Sequence, residues 1–481
     1  MSYQNGLKNL FENWSGEKTV TFSPLPESGS PRKYFRITGA TKTAIGVFNT
    51  EKQENKSFVY LSKHFKKNSL NVPKIYRTDL PNNIYLIEDL GDQTLFSFLE
   101  ENKKKNKFNN ALKIVYKKVI EQLPRFQIAA VEELDYSKCY PVSKFDKQSM
   151  MWDLNYFKYY FLKPAGITFD EQKLENDFNT IADFLLQADS NYFMYRDFNP
   201  RNIMIKNNEP YFIDYQGGRE GALQYDIASF LFSSKSDIPF SLRDEFLEHY
   251  ISFARKIKPF NRKEFLKYYD GYVLIRLLQM FGAYGYRGYY EGKAHFLKSI
   301  PYAVKNLEWL LKYHRPKIKT HELFNSLQQI VNSSELKKFD WNFSAEGKLT
   351  VRVNSFSYRK KIPADLSGNG GGFVFDCRAI PNPGRIDKYK PLNGKDKPVQ
   401  NFLDAQPEAQ IFLKETYHLV DKSVENYINR KWTDLMVNYG CTGGQHRSVY
   451  CAEKLAKHLA SKYKIGIKLI HTNLQKKEVS K

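Results

Sequence analysis

Cysteine is scarce and scattered: Cys139, Cys377, Cys441 and Cys451 are the four in 481 residues, without the close pairing that a zinc site or a disulfide framework needs. Such usage fits a reducing compartment. No apolar run reaches the roughly 18 residues of a membrane-spanning candidate, and no apolar h-region follows Met1-Ser2-Tyr3-Gln4. A cytoplasmic, soluble protein with no membrane partner is the expectation. The pattern G-x-x-x-x-G-K-S/T is missing as well, so a P-loop is not among the phosphate-binding devices of this chain. Long polar, low-complexity stretches are also lacking, and with 42% hydrophobic and 15% aromatic residues the composition is that of a globular protein.

What the chain has in excess is length and positive charge. At 481 residues it exceeds what one ordinary core organises, and two or three domains are expected. Lys+Arg outnumber Asp+Glu 74 to 52, a net charge of +22. Residues 343–481 carry 24 basic against 13 acidic residues, or +11, so the C-terminal part is the basic one.

Chemistry is concentrated in Tyr195-Arg196-Asp197-Phe198-Asn199-Pro200-Arg201-Asn202, followed by Phe212-Ile213-Asp214. An Asp at the head of such a loop accepts the proton of an attacking hydroxyl, and an Asn five positions later turns back onto Mg²⁺. Asp214 would hold the metal from the other side. The spacing predicts a strand Asn202–Lys206, a turn Asn207-Asn208-Glu209-Pro210 and a strand Tyr211–Ile213, a hairpin that delivers Asn and Asp to one edge. The alternative is that D-x-x-x-x-N is only a turn, because Asp, Asn and Pro favour turns for local hydrogen-bonding reasons.

This segment resembles the catalytic loop of the aminoglycoside phosphotransferase and choline kinase superfamily, H-x-D-x-x-x-x-N followed by a hydrophobic-hydrophobic-D strand, with Tyr195 at the usual His position. A narrower resemblance, over about residues 18–313, is to the anomeric N-acetylmuramate and N-acetylglucosamine kinases. It rests on Arg32-Lys33-Tyr34-Phe35-Arg36, Glu88-Asp89-Leu90-Gly91-Asp92, Asp214-Tyr215-Gln216-Gly217-Gly218 and Tyr225-Asp226-Ile227-Ala228-Ser229. It implies an α+β, bilobal protein-kinase-like fold, ATP and Mg²⁺ as cofactors, and phosphorylation of an amino sugar at C1. The N-lobe is expected over residues 1–93 and a mainly helical C-lobe over 94–315. Ser28, Gly29 and Ser30, in the turn between the first strands, and Glu88 and Leu90, in the hinge, are the candidate nucleotide-binding residues. The strand Thr43–Phe48 carries no Lys at its end, where a protein kinase has one. Asp226 is expected to cap a helix beginning at Ile227 and to anchor the loop through Arg196 or Arg201. Asp153 is expected near the start of a helix, as an N-terminal acid or a contact to a sugar hydroxyl.

After a polar linker over 316–340, a β/α pattern resumes. Tyr439-Gly440-Cys441-Thr442-Gly443-Gly444-Gln445-His446-Arg447-Ser448 joins a strand Leu435–Tyr439 to a helix Val449–Lys462, a turn that aims backbone N–H groups at an anion. The Cys441 to Arg447 spacing also fits a tyrosine-phosphatase loop with a thiolate nucleophile. The loop resembles more closely the C-terminal domain of the RapZ family of RNase adapter and nucleotide-binding proteins. Val353-Asn354-Ser355-Phe356-Ser357-Tyr358, Phe375-Asp376-Cys377-Arg378-Ala379-Ile380-Pro381-Asn382-Pro383 and Leu392-Asn393-Gly394-Lys395-Asp396 resemble further segments of it. His471-Thr472-Asn473 departs from that family's H-R-D. The resemblance implies a smaller α/β domain over 341–481 that binds an amino-sugar phosphate or nucleotide sugar, and in some members RNA. Cys441, Thr442, Gly443, Gly444, His446 and Arg447 are the candidate ligand loop, with Arg378 and Asn382 completing the pocket.

Two functions follow as expectations. One is an ATP-dependent amino-sugar kinase coupled to a sugar-phosphate-binding domain. The other is a catalytically weak kinase-fold scaffold whose C-terminal domain binds RNA or a regulatory partner.

Overall fold

Two buried apolar strands lie at the centre of the first sheet of the computed structural model, which describes residues 2–26, 32–103, 108–337, 339, 348–363, 365, 367 and 371–474. Ser28, Gly29 and Ser30 lie outside the described residues. The chain divides into two compact units, Met1–Ala283 with Tyr302–Ser333, and Tyr284–Pro301 with Ser334–Lys481.

The first unit opens with α1 (Tyr3–Ser15), then β1 (Thr21–Pro24), β2 (Lys33–Thr38), β3 (Thr43–Phe48), α2 (Lys52–Lys67), β4 (Ile75–Asp79) and β5 (Ile84–Ile87). The strands form an antiparallel sheet in the order β1-β2-β3-β5-β4. Helix α1 was not foreseen. Its Leu7 and Phe11, one turn apart, are fully buried with Phe35, Ile37, Ala44, Ile84 and Leu86, and each contributes about 1.5–3 kcal/mol by leaving water.

Helices dominate the rest of this unit: α3 (Leu95–Lys103), α4 (Asn110–Gln127), α5 (Lys147–Phe157), α6 (Glu171–Leu185), α7 (Gln224–Leu231), α8 (Phe240–Ile257) and α9 (Arg262–Gly285). Val273, Leu277, Leu278 and Phe281 form a fully buried face on α9. Two short antiparallel ladders interrupt the helices, β6 (Tyr192–Met194) with β9 (Arg219–Gly221), and β7 (Ile203–Lys206) with β8 (Glu209–Phe212). The β7–β8 turn is tighter than the sequence reading had it. Asn207 and Asn208 alone form it, at φ 53° and 61°, the two left-handed residues of a type I′ hairpin.

Beyond α10 (Ala294–Leu297) and α11 (Ile300–Tyr313), the expected linker contains α12 (His321–Asn332) and the short α13 (Ser334–Lys337). Helix α12 buries Leu323, Leu327 and Ile330, and Asp177 on α6 accepts from the Leu323 N–H at 2.8 Å, so α12 is part of the first unit.

The second unit holds β10 (Thr350–Ser357), β11 (Gly372–Asp376), α14 (Lys397–Asp404), α15 (Pro407–Asn429), β12 (Asp434–Cys441), α16 (Arg447–Lys462) and β13 (Gly466–His471). Its four strands run parallel in the order β11-β12-β10-β13. Near-continuous burial of β10 and β12 is what a parallel sheet covered on both faces requires. The architecture is therefore an α+β protein-kinase-like fold followed by a parallel α/β domain. No helix among the described residues is long and apolar enough to cross a membrane.

Candidate functional site

The loop of residues 195–202 is held from three sides. Asp226, fully buried in the first turn of α7, accepts the backbone N–H of Tyr195 at 2.7 Å and of Arg196 at 2.9 Å, and the Gln127 amide at 3.0 Å. The expectation for Asp226 is corrected in detail: it sits inside α7 rather than before it, and it grips the loop by main-chain amides rather than by a guanidinium. Arg201 stacks on Phe96 instead. Tyr195, fully buried, donates its hydroxyl to the Ile213 carbonyl at 2.6 Å, tying the loop to the residue before Asp214. Arg196, at φ 78°, pairs with both oxygens of Asp153 at 2.6 and 2.7 Å and donates to Tyr225. Asp153 is thus a buried mid-helix partner of the loop on α5, not a helix-start acid. Sequence reasoning named Asp226 as an anchor of the loop but not Asp153 or Tyr225, which lie 43 and 29 residues from Arg196.

These restraints bring Asp197, Asn202 and Asp214 together. The Asn202 amide donates to the Asp197 carbonyl at 2.9 Å and to Asp214 Oδ2 at 3.2 Å. Asn199 also donates to the Asp197 carbonyl, at 3.0 Å. The Asp197 side chain remains half-exposed, with Arg276 Nη2 3.9 Å from its carboxylate. Its desolvated surroundings push its pKa up, Arg276 opposes that, and Asp214 adds to it. Arg196 and Asp214 both hold positive φ, 78° and 68°; non-glycine residues in that region cost energy that functional sites characteristically store. For a divalent cation, Asn202 and Asp214 present an amide and a carboxylate, hard oxygen ligands of the kind that hold Mg²⁺ together with phosphate oxygens. Among the described residues no group of three or more His, Cys, Asp or Glu is placed to hold a metal ion.

Two arginines fasten strand β2 to this machinery. Arg36 makes paired contacts to Asp89 and Asp92 at 2.7–3.1 Å. Arg32, just before β2, reaches Glu54 and Asp214. Glu88 accepts from Lys206 Nζ at 2.8 Å, and its backbone N–H donates to the Lys74 carbonyl at 2.9 Å. Leu90 is buried.

In the second unit the loop after β12 lies where chain connections diverge. Strand β10 is followed by β11 beyond β12, whereas β12 is followed by β13 beyond β10, and the crevice at the carboxyl ends of two such strands is where open parallel sheets bind ligands. Gly444, at φ 67°, has Asn473 Oδ1 2.8 Å from where a Cβ would sit, so only Gly fits. Cys441 is buried; its sulfur accepts from the Gly444 N–H and contacts the Ser448 hydroxyl. His446 Nε2 lies 2.9 Å from the Tyr389 carbonyl. Arg447, 7% exposed, donates to the carbonyls of Arg378 and Ile380 at 3.1 and 3.0 Å. Both side chains therefore brace the neighbouring segment. Asn382 caps its own turn at Gly384. The exposed groups are Thr442, Gly443 with open space beside its Cα, and Arg378, which stacks on Tyr358 at 4.4 Å and pairs with Asp376. Thr472 and Asn473 hold the backbone of Ser355 and Ser357.

Residues 21–260 match the model of the phosphotransferase enzyme family, and residues 349–475 that of the RapZ C-terminal domain. Among curated proteins, a "Nucleotide-binding protein" of Glaesserella parasuis is 34% identical over 157 residues, 33% of this chain and 49% of its own length. The "RNase adapter protein RapZ" of Serratia proteamaculans is 37% identical over 133 residues, 28% of this chain and 45% of its own. The chain spans about half the length of such relatives or less. Among solved structures, choline kinase LicA from Streptococcus pneumoniae aligns at TM-score 0.42 and 15% identity, covering 64% of this chain and 99% of that one. Choline kinase from Cryptosporidium parvum aligns at 0.46 and 12%, covering 65% and 97%. The chain carries a phosphotransferase-family domain followed by a RapZ C-terminal domain.

Proposed function

We propose that the protein is an ATP- and Mg²⁺-dependent kinase of an amino sugar of the N-acetylmuramate or N-acetylglucosamine class, acting at the anomeric hydroxyl. Its C-terminal domain binds an amino-sugar phosphate or nucleotide sugar. The carrying observation is the convergence of Asp197, Asn202 and Asp214 on one half-exposed edge. Asp197 accepts the proton of the attacking hydroxyl, Asn202 and Asp214 hold the metal, and the hinge backbone near Glu88 and Leu90 borders the nucleotide. When bound, the metal neutralises phosphate charge. The site's own contribution is position: Asp226, Tyr195 and the β7–β8 hairpin fix the loop before any ligand arrives. The departures that would favour an idle scaffold have structural substitutes, since Tyr195 pins the loop by its hydroxyl and Arg32 supplies a cation beside Glu54. Incubation with ATP and a panel of N-acetylated and free hexosamines is the test. Sugar-dependent ADP release with a sugar 1-phosphate product is expected, and ADP release indifferent to every sugar would overturn the reading.

For the C-terminal domain, Arg378 is the exposed guanidinium at the crevice, and Arg447 is a brace. Arg378→Ala is expected to weaken binding of a hexosamine phosphate by about 1.5–3 kcal/mol, as for a lost charge-assisted hydrogen bond, with the thermal midpoint unchanged. Arg447→Ala is expected to lower that midpoint, because it leaves two carbonyls unpaired. Calorimetric titration and thermal melts of the full chain separate the two roles.

A further inference from the structure

Phosphotransferases of the protein-kinase type pair a strand lysine with a glutamate on the neighbouring helix, and that cation supports the nucleotide phosphates. Here β3 ends at Phe48 without one, and the next residue is Asn49. Asn49 is buried and its amide donates to Glu54 Oε2 at 2.7 Å. The other oxygen of Glu54, in the first turn of α2, accepts from Arg32 Nη2 at 3.0 Å. The glutamate therefore has its cation, but from the residue preceding β2.

That same Nη2 lies 3.2 Å from Asp214 Oδ1. Gln216 donates to this oxygen at 2.7 Å, while Asp214 Oδ2 accepts from Asn202. Asp214 is consequently gripped on one side by Arg32 and Gln216 and turned toward Asn202 on the other. The Arg32 side chain is only 7% exposed. A guanidinium so far from water requires paired carboxylates to stay, so helix α2 and Asp214 are bound to one another through a single buried cation.

We propose that Arg32 replaces the strand lysine as a positioning residue: through Glu54 it fixes α2, and through Asp214 it orients the carboxylate that holds the metal. The assignment rests on the kinase reading and names the residue that makes its metal site competent. Asn49 fills the vacated strand position with a neutral hydrogen-bond donor, so that one cation rather than two sits against Glu54.

Equilibrium binding tests it without turnover. The full chain is titrated with AMP, with ATP, and with ATP plus Mg²⁺, for wild type, Arg32→Lys and the double variant Arg32→Met/Glu54→Gln. The double variant removes the cation and its helix carboxylate together, so no unpaired charge is left on α2. It is expected to bind AMP as wild type does while losing about 10- to 100-fold of the affinity that Mg²⁺ adds for ATP, the usual penalty for removing the partner of a metal-holding group. Arg32→Lys is expected to keep most of that gain. A double variant that binds Mg²⁺-ATP as tightly as wild type overturns the assignment. So does an equal loss of AMP and Mg²⁺-ATP affinity, which would make Arg32 a support of the fold, or an Arg32→Lys chain no better than the double variant. If wild type itself binds neither nucleotide, it is the kinase reading that falls.

Discussion

Asp197→Ala is expected to cut sugar-dependent phosphoryl transfer on the order of 10³-fold, the range removed with a general base, without unfolding the protein. The loop is organised by the Asp197 carbonyl, which accepts from Asn199 and Asn202, and by Asp226; the carboxylate contributes to neither set of bonds. The side chain's own position is unfavourable. Half-exposed as the side chain is, the desolvation of its carboxyl raises its pKa, the Arg276 cation opposing and Asp214 reinforcing the rise. A carboxyl whose native pKa is raised stabilises the fold below its unfolded value and loses that contribution as pH rises through the native one. Asp197→Ala at neutral pH should therefore melt at or slightly above the wild-type temperature, a case of function held at a cost in stability. The base must be ionised to work, so kcat/KM is expected to fall on the acid side at a pH above the ordinary Asp range near 4. Arg276→Gln, which removes the opposing cation, should move that limb to higher pH. Full turnover by Asp197→Ala, or an acid limb that ignores Arg276, would remove Asp197 from the role of base.

Features encoded by short spacing were legible in the sequence. The five-residue step from Asp197 to Asn202 and the hairpin that returns Asp214 are local geometry, and the structure sets the Asn202 amide between the Asp197 carbonyl and the Asp214 carboxylate. The glycine-rich turn between β12 and α16 was legible in the same way, from glycines between a strand and a helix. What the side chains there do was not. His446 and Arg447 look like anion donors until the segment near Tyr389 and Ile380 is folded against them, and nothing in a linear pattern shows which carbonyls will arrive. Arg32 was hidden for the same reason, its partners lying 22 and 182 positions away. Helix α1 was missed because Gly6 reads as a helix breaker, yet in the fold it lets the helix approach Ile84, whose Cδ1 is 2.8 Å from where a Cβ would be. Strand β4 escaped because a bulge between Ile75 and Arg77 breaks the alternation that marks a strand.

Asp226→Ala is expected to be the most destabilising single change in the catalytic half, at about 3–5 kcal/mol, because it leaves three buried donors without an acceptor, each worth about 1–3 kcal/mol alone. The terms will not simply add, since Gln127 also donates to the Leu223 carbonyl and accepts from Tyr250, and part of the network can re-pair. Denaturant unfolding should show a lower midpoint, and phosphoryl transfer should fall with it, because the released amides belong to the two residues before Asp197. The pH dependence separates this role from simple packing. Burial pushes the Asp226 carboxyl up to about 7, against the pull of the Tyr195, Arg196 and Gln127 donors. Its stabilising contribution is therefore complete below the unfolded value near 4 and is lost as pH climbs to about 7. Wild-type stability should carry that downward slope, and Asp226→Asn, which cannot ionise, should flatten it while placing one amide N–H against a loop donor and so remaining less stable than wild type. An Asp226→Ala chain that unfolds at the wild-type denaturant concentration would mean that the catalytic loop is held by Tyr195 and Arg196 side chains alone. A slope unchanged by Asn would move the titration elsewhere, to Asp270, which burial raises to about 6 beside His314.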